Sequence, residues 1–236
     1  CNSWIDITPS DRLNEDMLFE DRQGFEKAIN GVYVGLVDRS LYGRNLSAGV
    51  IDLMAQYYKY GNGSDFNSML GAYKYEEQNV KDVFQVIWEK AYALILNCNI
   101  IIEKCDENKA GLSPVWKGAI KGEALALRAM LHFDMLRLFG PLTSELDKES
   151  IPYQTNSDQT VTPLLSGSEV VGLILDDLKN AVGLLKDTDP YFVEEEFSDT
   201  DLNYRRFRMN YFAAKGLMAR VQLWGGDKEK AAATAK

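Results

Sequence analysis

A long apolar stretch lies between Pro114 and Gly140, and five charged or titratable residues interrupt it after Gly122. They are Glu123, Arg128, His132, Asp134 and Arg137. Apolar side chains in this stretch occupy nearly every side of a helix, which predicts a buried helix. Charges buried with it need partners. His132 lies one turn after Arg128, and Arg137 lies one turn after Asp134, so both spacings allow pairing within the helix.

These residues could form a catalytic His–Asp–Glu cluster, or an ion-pair network that fixes how neighbouring helices pack. No nucleophile lies nearby in the sequence, and His132 is the only histidine of the chain. We therefore interpret the set as a structural network. A hydrolase with two catalytic carboxylates is not supported either, because nothing sets the separation of Glu194 and Glu196. We expect no enzymatic activity.

The helix that carries this network has clear start and stop signals. Ser113 can cap the first free amides, and Pro114 suits the first helical position. Gly140, followed by a proline, ends the helix. At about 1.5 Å per residue, roughly 26 residues would span about 40 Å. We predict one long central helix.

A second group of chemically useful residues lies at 56–75, where aromatic rings alternate with turn-forming residues. The dense Gly, Asn, Ser and Asp content predicts an irregular loop. Ring faces can stack on the apolar faces of sugars, while polar side chains bond the hydroxyl groups. The candidate ligand-binding residues are Tyr57, Tyr58, Tyr60, Asn62 and Tyr73. The alternative is a loop whose tyrosines pack down and cover the helices.

Periodic apolar positions predict further helices on both sides of the central one. They fall at about 21–36, 45–55, 81–107, 168–187 and 208–224, with another after Gly225-Gly226-Asp227. Ser168 is the predicted cap of the helix at 168–187, and residues 141–167 are a predicted loop. Consecutive helices pair as in tetratricopeptide arrays. The predicted fold class is all-α, a tetratricopeptide-like helical-repeat superhelix with long irregular loops.

The composition and charge of the chain argue against some classes of binding partner. The chain has 236 residues and a net charge of −9, which argues against nucleic acid because phosphate binding needs a basic surface. No stretch reaches the roughly 18 apolar residues of a membrane helix. Cys98 and Cys105 would lie about 10 Å apart along one helix, too far for a disulfide. We therefore expect both in the core.

No cofactor or metal is predicted. Residues 106–111 resemble the start of a calcium loop, but Lys117 stands at the twelfth position, where a glutamate is needed. The pair Gly61 and Gly63 lacks the third glycine of a dinucleotide motif, because Phe66 stands in its place. The acidic residues at 194–201 could hold a cation, but no spacing demands one, and we interpret them as a solvated segment.

Three motifs in the same order resemble the SusD/RagB family. The stretch GEALALRAMLHFDMLRLFGPL, which ends at Leu142, resembles the family's signature helix. Trp88, Tyr92, Ile95 and Asn99 match its W-x-x-x-Y-x-x-I-x-x-x-N helix. The stretch MNYFAAKGLMARVQLWGGDKEKAAATA, from Met209, is similar to its helix pair with Gly-Asp in the turn.

The resemblance implies a non-catalytic lipoprotein of the bacterial outer membrane that is exposed at the cell surface. Such a protein captures an oligosaccharide or other nutrient and delivers it to a SusC-like TonB-dependent transporter. Lipidation at Cys1 would anchor it, with residues 1–18 as a tether and 19–236 as an N-terminal helical domain that is truncated at its C-terminus. The alternative is a helical-repeat scaffold that binds a protein partner without a small-molecule ligand.

Overall fold

The computed structural model describes residues 16–58, 63, 65–158, 160–190, 192–193 and 205–236. The helices are α1 (Arg22–Leu36), α2 (Val50–Met54), α3 (Phe66–Gly71), α4 (Gln78–Glu107), α5 (Pro114–Phe139), α6 (Gly167–Thr188), α7 (Tyr211–Trp224) and α8 (Lys228–Thr234). The predicted all-α, tetratricopeptide-like fold class is confirmed. Among the residues that the structure describes, no helix combines the length and apolar character needed to cross a membrane.

The chain divides into two compact units. The smaller unit is residues 30–94, and the larger unit comprises residues 1–29 and 95–236. In the smaller unit, a core of Val50, Leu70 and Val80 joins α2, α3 and the start of α4. This core holds α2 and α3 side by side.

Helix α3 lies in the segment for which an irregular loop was predicted, so that prediction is wrong for residues 66–71. Asp65 caps this helix: its side chain accepts hydrogen bonds from the backbone amides of Asn67 and Ser68. Leu70 is fully buried and lies on the side of α3 that faces the core. The turn-forming residue that suggested a loop therefore starts a helix.

The predicted central helix is confirmed in the larger unit as α5. Its bounds agree with the sequence signals, and the Ser113 side chain accepts a hydrogen bond from the amide of Trp116. Buried residues lie on all sides of the helix. Helix α6 packs against it closely, because a Cβ atom at Gly122 would lie only 2.8 Å from the Leu185 side chain. A larger residue at Gly122 would force the two helices apart.

The connection between α5 and α6 is more ordered than the predicted loop. It contains a 3-10 turn (Thr143–Glu145) and two strands, β1 (Glu149–Pro152) and β2 (Leu164–Ser166), which pair antiparallel. The cap of α6 is Ser166 and not the predicted Ser168. Ser166 and Glu169 form a capping box, in which each side chain bonds the other residue's backbone amide.

Candidate functional site

The candidate ligand-binding tyrosines lie in the smaller unit. Tyr57 is 77% exposed, Tyr58 54% and Tyr73 48%, and Tyr75, which was not in the predicted set, is 43% exposed. We call these four residues the tyrosine surface. The predicted site residues Tyr60 and Asn62 lie outside the described residues.

Ring contacts connect one half of the tyrosine surface to the body of the unit. The ring centroids of Tyr73 and Tyr75 lie 6.1 Å apart, and Tyr75 meets Phe84 of α4 edge-on at 5.7 Å. Burial and the neighbouring Tyr73 raise the pKa of Tyr75, so its hydroxyl is neutral at physiological pH. An uncharged ring with a polar edge suits a ligand that offers both apolar faces and hydroxyl groups.

The backbone beneath the tyrosine surface has an uncommon conformation. Gln56 follows α2 with φ 58°, and Tyr73 follows α3 with φ 56°. The Tyr73 hydroxyl donates a 2.8 Å hydrogen bond to the Met54 carbonyl, and the Gln56 side-chain amide donates one of 3.1 Å to the Gly71 carbonyl. The end of each short helix is therefore bonded to the end of the other.

Carboxylates close to the tyrosines in sequence are ionised at neutral pH. Hydrogen bonds from the Ser68 side chain and backbone hold the pKa of Asp65 below its usual value. The pKa of Glu76 is also lowered, through its 2.7 Å ion pair with Lys81. Ionised carboxylates can accept hydrogen bonds from hydroxyl groups.

The charged residues of α5 form the second cluster. Arg128 donates from Nε and Nη2 to the two carboxylate oxygens of Asp177 in α6, each at 2.7 Å. Its Nη1 donates to the Asn99 side chain at 2.8 Å and to the Thr155 carbonyl at 3.1 Å. The Tyr153 hydroxyl completes the group with a 2.6 Å hydrogen bond to Asp177.

His132 is buried beside this group, and both of its ring nitrogens have hydrogen-bond partners. Its Nδ1 lies 3.0 Å from the Arg128 carbonyl, and its Nε2 accepts a 3.1 Å hydrogen bond from the Gln154 amide. The proton therefore sits on Nδ1. Burial lowers the pKa of His132 to about 3, so the ring is neutral. The His132 ring stacks on the Tyr153 ring, with the two ring centroids 3.9 Å apart.

The other charged residues of the predicted set on α5 also pair. The predicted pairing within the helix holds for Asp134 and Arg137, 3.1 Å apart. Glu123 instead pairs across the fold, with Arg205 at 2.6 Å and Arg208 at 2.8 Å, and Arg205 also bonds Asp189. Both arginines lie more than 80 positions away in sequence, so no local spacing could reveal them. The geometry supports a structural network.

The network extends to the loop between the two strands. The Asn99 amide donates to the carbonyls of Gln154 and Asn156, at 3.2 and 2.8 Å. Glu103 accepts hydrogen bonds from the amide and the hydroxyl of Ser157. Side chains of α4 and α5 thus hold this loop through hydrogen bonds.

No group of three or more His, Cys, Asp or Glu residues within the described ranges is placed to hold a metal ion. The acidic stretch at 194–201 falls outside those ranges. Cys98 and Cys105 are free thiols in the core, as predicted.

The paired helices and the motifs they carry define a helical-repeat protein of tetratricopeptide type. Residues 3–223 match the model of the SusD-like family, described as starch-binding and associating with the outer membrane, and the chain belongs to this family. The predicted membership of the SusD/RagB group is thereby confirmed.

Three known proteins illustrate the likeness. SusD-like protein P2 of Formosa agariphila is 24% identical over 241 residues, which cover 99% of this chain and 42% of that protein. A SusD superfamily structure from Bacteroides thetaiotaomicron aligns with a TM-score of 0.69 at 22% identity, over 91% of this chain and 45% of the other. A laminarin-binding SusD-like protein aligns with a TM-score of 0.68 at 20% identity. The alignment covers 91% of this chain and 42% of that protein. The chain therefore spans less than half the length of these relatives.

Proposed function

We propose that this chain belongs to a non-catalytic lipoprotein at the surface of the outer membrane, which binds a glycan or other nutrient. The ligand would pass to a SusC-like TonB-dependent transporter. The observation that carries the binding part is the tyrosine surface, where at least four rings lie exposed on one small unit. A protein does not usually leave this much ring area in water without a use.

Several observations support this proposal. The family is described as starch-binding and outer-membrane associated, and one similar structure is that of a laminarin-binding protein. The charged cluster of α5 is occupied by structural pairs and holds its histidine neutral. We therefore assign no catalytic role to it. A lipid on Cys1 would provide the membrane anchor, with residues 1–18 as the tether.

The binding site is tested by the double substitution Tyr58→Ala with Tyr60→Ala in the longest natural form of the protein. If each ring that stacks on sugar contributes about 1 kcal/mol, the affinity falls roughly thirtyfold. Calorimetry with laminarin and soluble starch measures this change. A matched control removes two exposed rings of the larger unit, Phe207→Ala with Phe212→Ala, and should leave the affinity unchanged.

The same experiment separates this proposal from the alternative in which the tyrosines form a covering loop. If the tyrosines only cover the helices, the double variant melts at a lower temperature and binds every glycan as the parent does. An unchanged dissociation constant would therefore end the assignment of the glycan site to these tyrosines. The transporter partner is tested by copurification from native membranes: the tagged parent should retain a TonB-dependent transporter, and its absence argues against delivery.

A further inference from the structure

Helices α2 and α3 end in the same way. At the end of α2, the amide of Gln56 donates to the Leu53 carbonyl, and the next amide donates to the Asp52 carbonyl. At the end of α3, the amide of Tyr73 donates to the Leu70 carbonyl, and the next amide donates to the Met69 carbonyl. Both are Schellman motifs, in which one residue adopts a left-handed backbone conformation.

Neither residue is of the type that this position favours. Glycine is the usual residue there, followed by asparagine, because other side chains crowd the backbone at positive φ. The end of α4 shows the ordinary solution, since Asn108 adopts φ 47°. At the corresponding positions of α2 and α3, a glutamine and a tyrosine adopt this conformation, and their side-chain contacts can offset its cost.

Each of these side chains bonds the other helix. The Gln56 amide donates to the carbonyl of Gly71, the last residue of α3, and the Tyr73 hydroxyl donates to the carbonyl of Met54, the last residue of α2. The two bonds are reciprocal, and we call them the clasp. A helix C-terminus leaves carbonyl groups without helical partners, and the clasp satisfies one in each helix.

The clasp determines where the ring of Tyr73 lies. The hydroxyl end bonds the Met54 carbonyl, and the ring lies at a tilt beside that of Tyr75. Gln56 precedes Tyr57 and Tyr58 directly, so the same residue sets the direction in which the chain leaves α2. A ring already held in its binding orientation loses less conformational entropy when a ligand binds.

We propose that Gln56 is a positioning residue: through the clasp it holds the ring of Tyr73, and with it the tyrosine surface, in the orientation that receives the ligand. This role rests on the proposed function. Gln56 itself does not have to touch the ligand.

Two substitutions isolate the clasp. Gln56→Gly keeps the left-handed backbone, which glycine adopts freely, and removes only the side chain. Gln56→Glu keeps the shape, but its ionised carboxylate cannot donate a hydrogen bond to Gly71. Gln85→Glu is the matched control, because it adds the same charge to an exposed position of α4 in the same unit.

The readouts are chosen so that a merely structural role gives a different result. We expect Gln56→Gly to melt at or above the parent's temperature and yet bind laminarin or soluble starch about fivefold more weakly, because the released ring must be ordered on binding. Gln56→Glu should also weaken binding, whereas Gln85→Glu should not. Affinity and melting temperature that fall in parallel, or an unchanged affinity in Gln56→Gly, overturn the proposal.

A second measurement needs no ligand. With 3-fluorotyrosine at position 73, fluorine NMR of the parent should show one ring environment, and Gln56→Gly should shift or average that signal. An unchanged signal refutes the positioning role of Gln56 even where glycan binds. If neither glycan binds the parent, the proposed function fails for those glycans, while the fluorine signal still decides whether Gln56 positions Tyr73.

Discussion

Arg128 and Asp177 form two parallel hydrogen bonds of 2.7 Å each, and their side chains are only 6% and 9% exposed. This geometry fixes α6 on α5 in both distance and rotation, because the guanidinium plane and the carboxylate plane must coincide. The same two residues bind Asn99, Tyr153 and the Thr155 carbonyl. Arg128 and Asp177, whose residue types could have suggested catalysis, thus hold α4, α5, α6 and the loop between the strands together.

Arg128→Ala should be strongly destabilising. It leaves Asp177 as a buried charge without its cation, and breaking a buried pair in this way costs about 3 kcal/mol or more. Urea unfolding measures this loss in the free energy of unfolding. The control is Lys179→Ala, whose pair with Asp176 is exposed and contributes about 0.5 kcal/mol or less.

Ligand affinity at a temperature where Arg128→Ala is folded should equal that of the parent. A lost affinity with an unchanged melting temperature would place the binding site in the core, and the structural assignment of this network would then be wrong.

The long helices could be predicted from the sequence because their signals are local. Ser113, Pro114 and Gly140 mark the ends of α5, and its composition alone indicated burial. The partners of its charges could not be predicted in the same way. Asp177 lies 49 positions from Arg128, and Arg205 lies 82 positions from Glu123. Such pairs are decided by how the helices pack, which local spacing does not encode.

The smaller unit shows a different reason for failure. Asp65 was interpreted as part of a turn, although the same residue type also caps helices, so α3 was missed. No feature of the sequence marked Gln56 as the residue at the end of a helix. A helix end is usually recognised by glycine, and here a glutamine occupies that position. Tyr57, Tyr58 and Tyr73 could be selected as candidates from residue type alone, since the predicted surface role needs only exposure.

The cap of α6 offers a second test. Ser166→Ala should lower the free energy of unfolding by about 1 kcal/mol, because the amide of Glu169 loses its acceptor. Ser168→Ala, two positions along and originally predicted as the cap, should change it by a few tenths of a kcal/mol at most. Thermal and urea unfolding of both variants decide between them. Equal losses in the two variants would contradict the capping box.

Lipidation of Cys1 is a third prediction. Mass spectrometry of protein extracted from native membranes should show a lipid adduct on the N-terminal peptide. Cys98 and Cys105 are internal controls: both are buried, and burial raises the pKa of each thiol to about 12. They should carry no modification. An unmodified Cys1 preceded by further native residues would refute the anchor.

The pH dependence of stability provides the fourth prediction, through His132. Burial, assisted by the charge of Arg128, lowers its pKa in the folded protein to about 3, against about 6.5 in an unfolded chain. The unfolded state therefore takes up a proton first as the pH falls below about 6.5. The stability contributed by the neutral ring is complete above that pH and is lost progressively towards pH 3.

At pH 5 this loss amounts to about 2 kcal/mol, since each pH unit below 6.5 costs about 1.4 kcal/mol. His132→Gln removes the titrating ring and keeps an oxygen that can accept from the Gln154 amide. The variant should be less stable at pH 7 but should lose stability less steeply between pH 6.5 and 5. Urea unfolding at pH 7, 6 and 5 gives the slope of the free energy of unfolding against pH for the parent and for the variant. The carboxylates are common to both proteins, so their contribution cancels in the difference between the two slopes. Parallel slopes would show that His132 is not the buried neutral ring that the hydrogen bonds to Arg128 and Gln154 require.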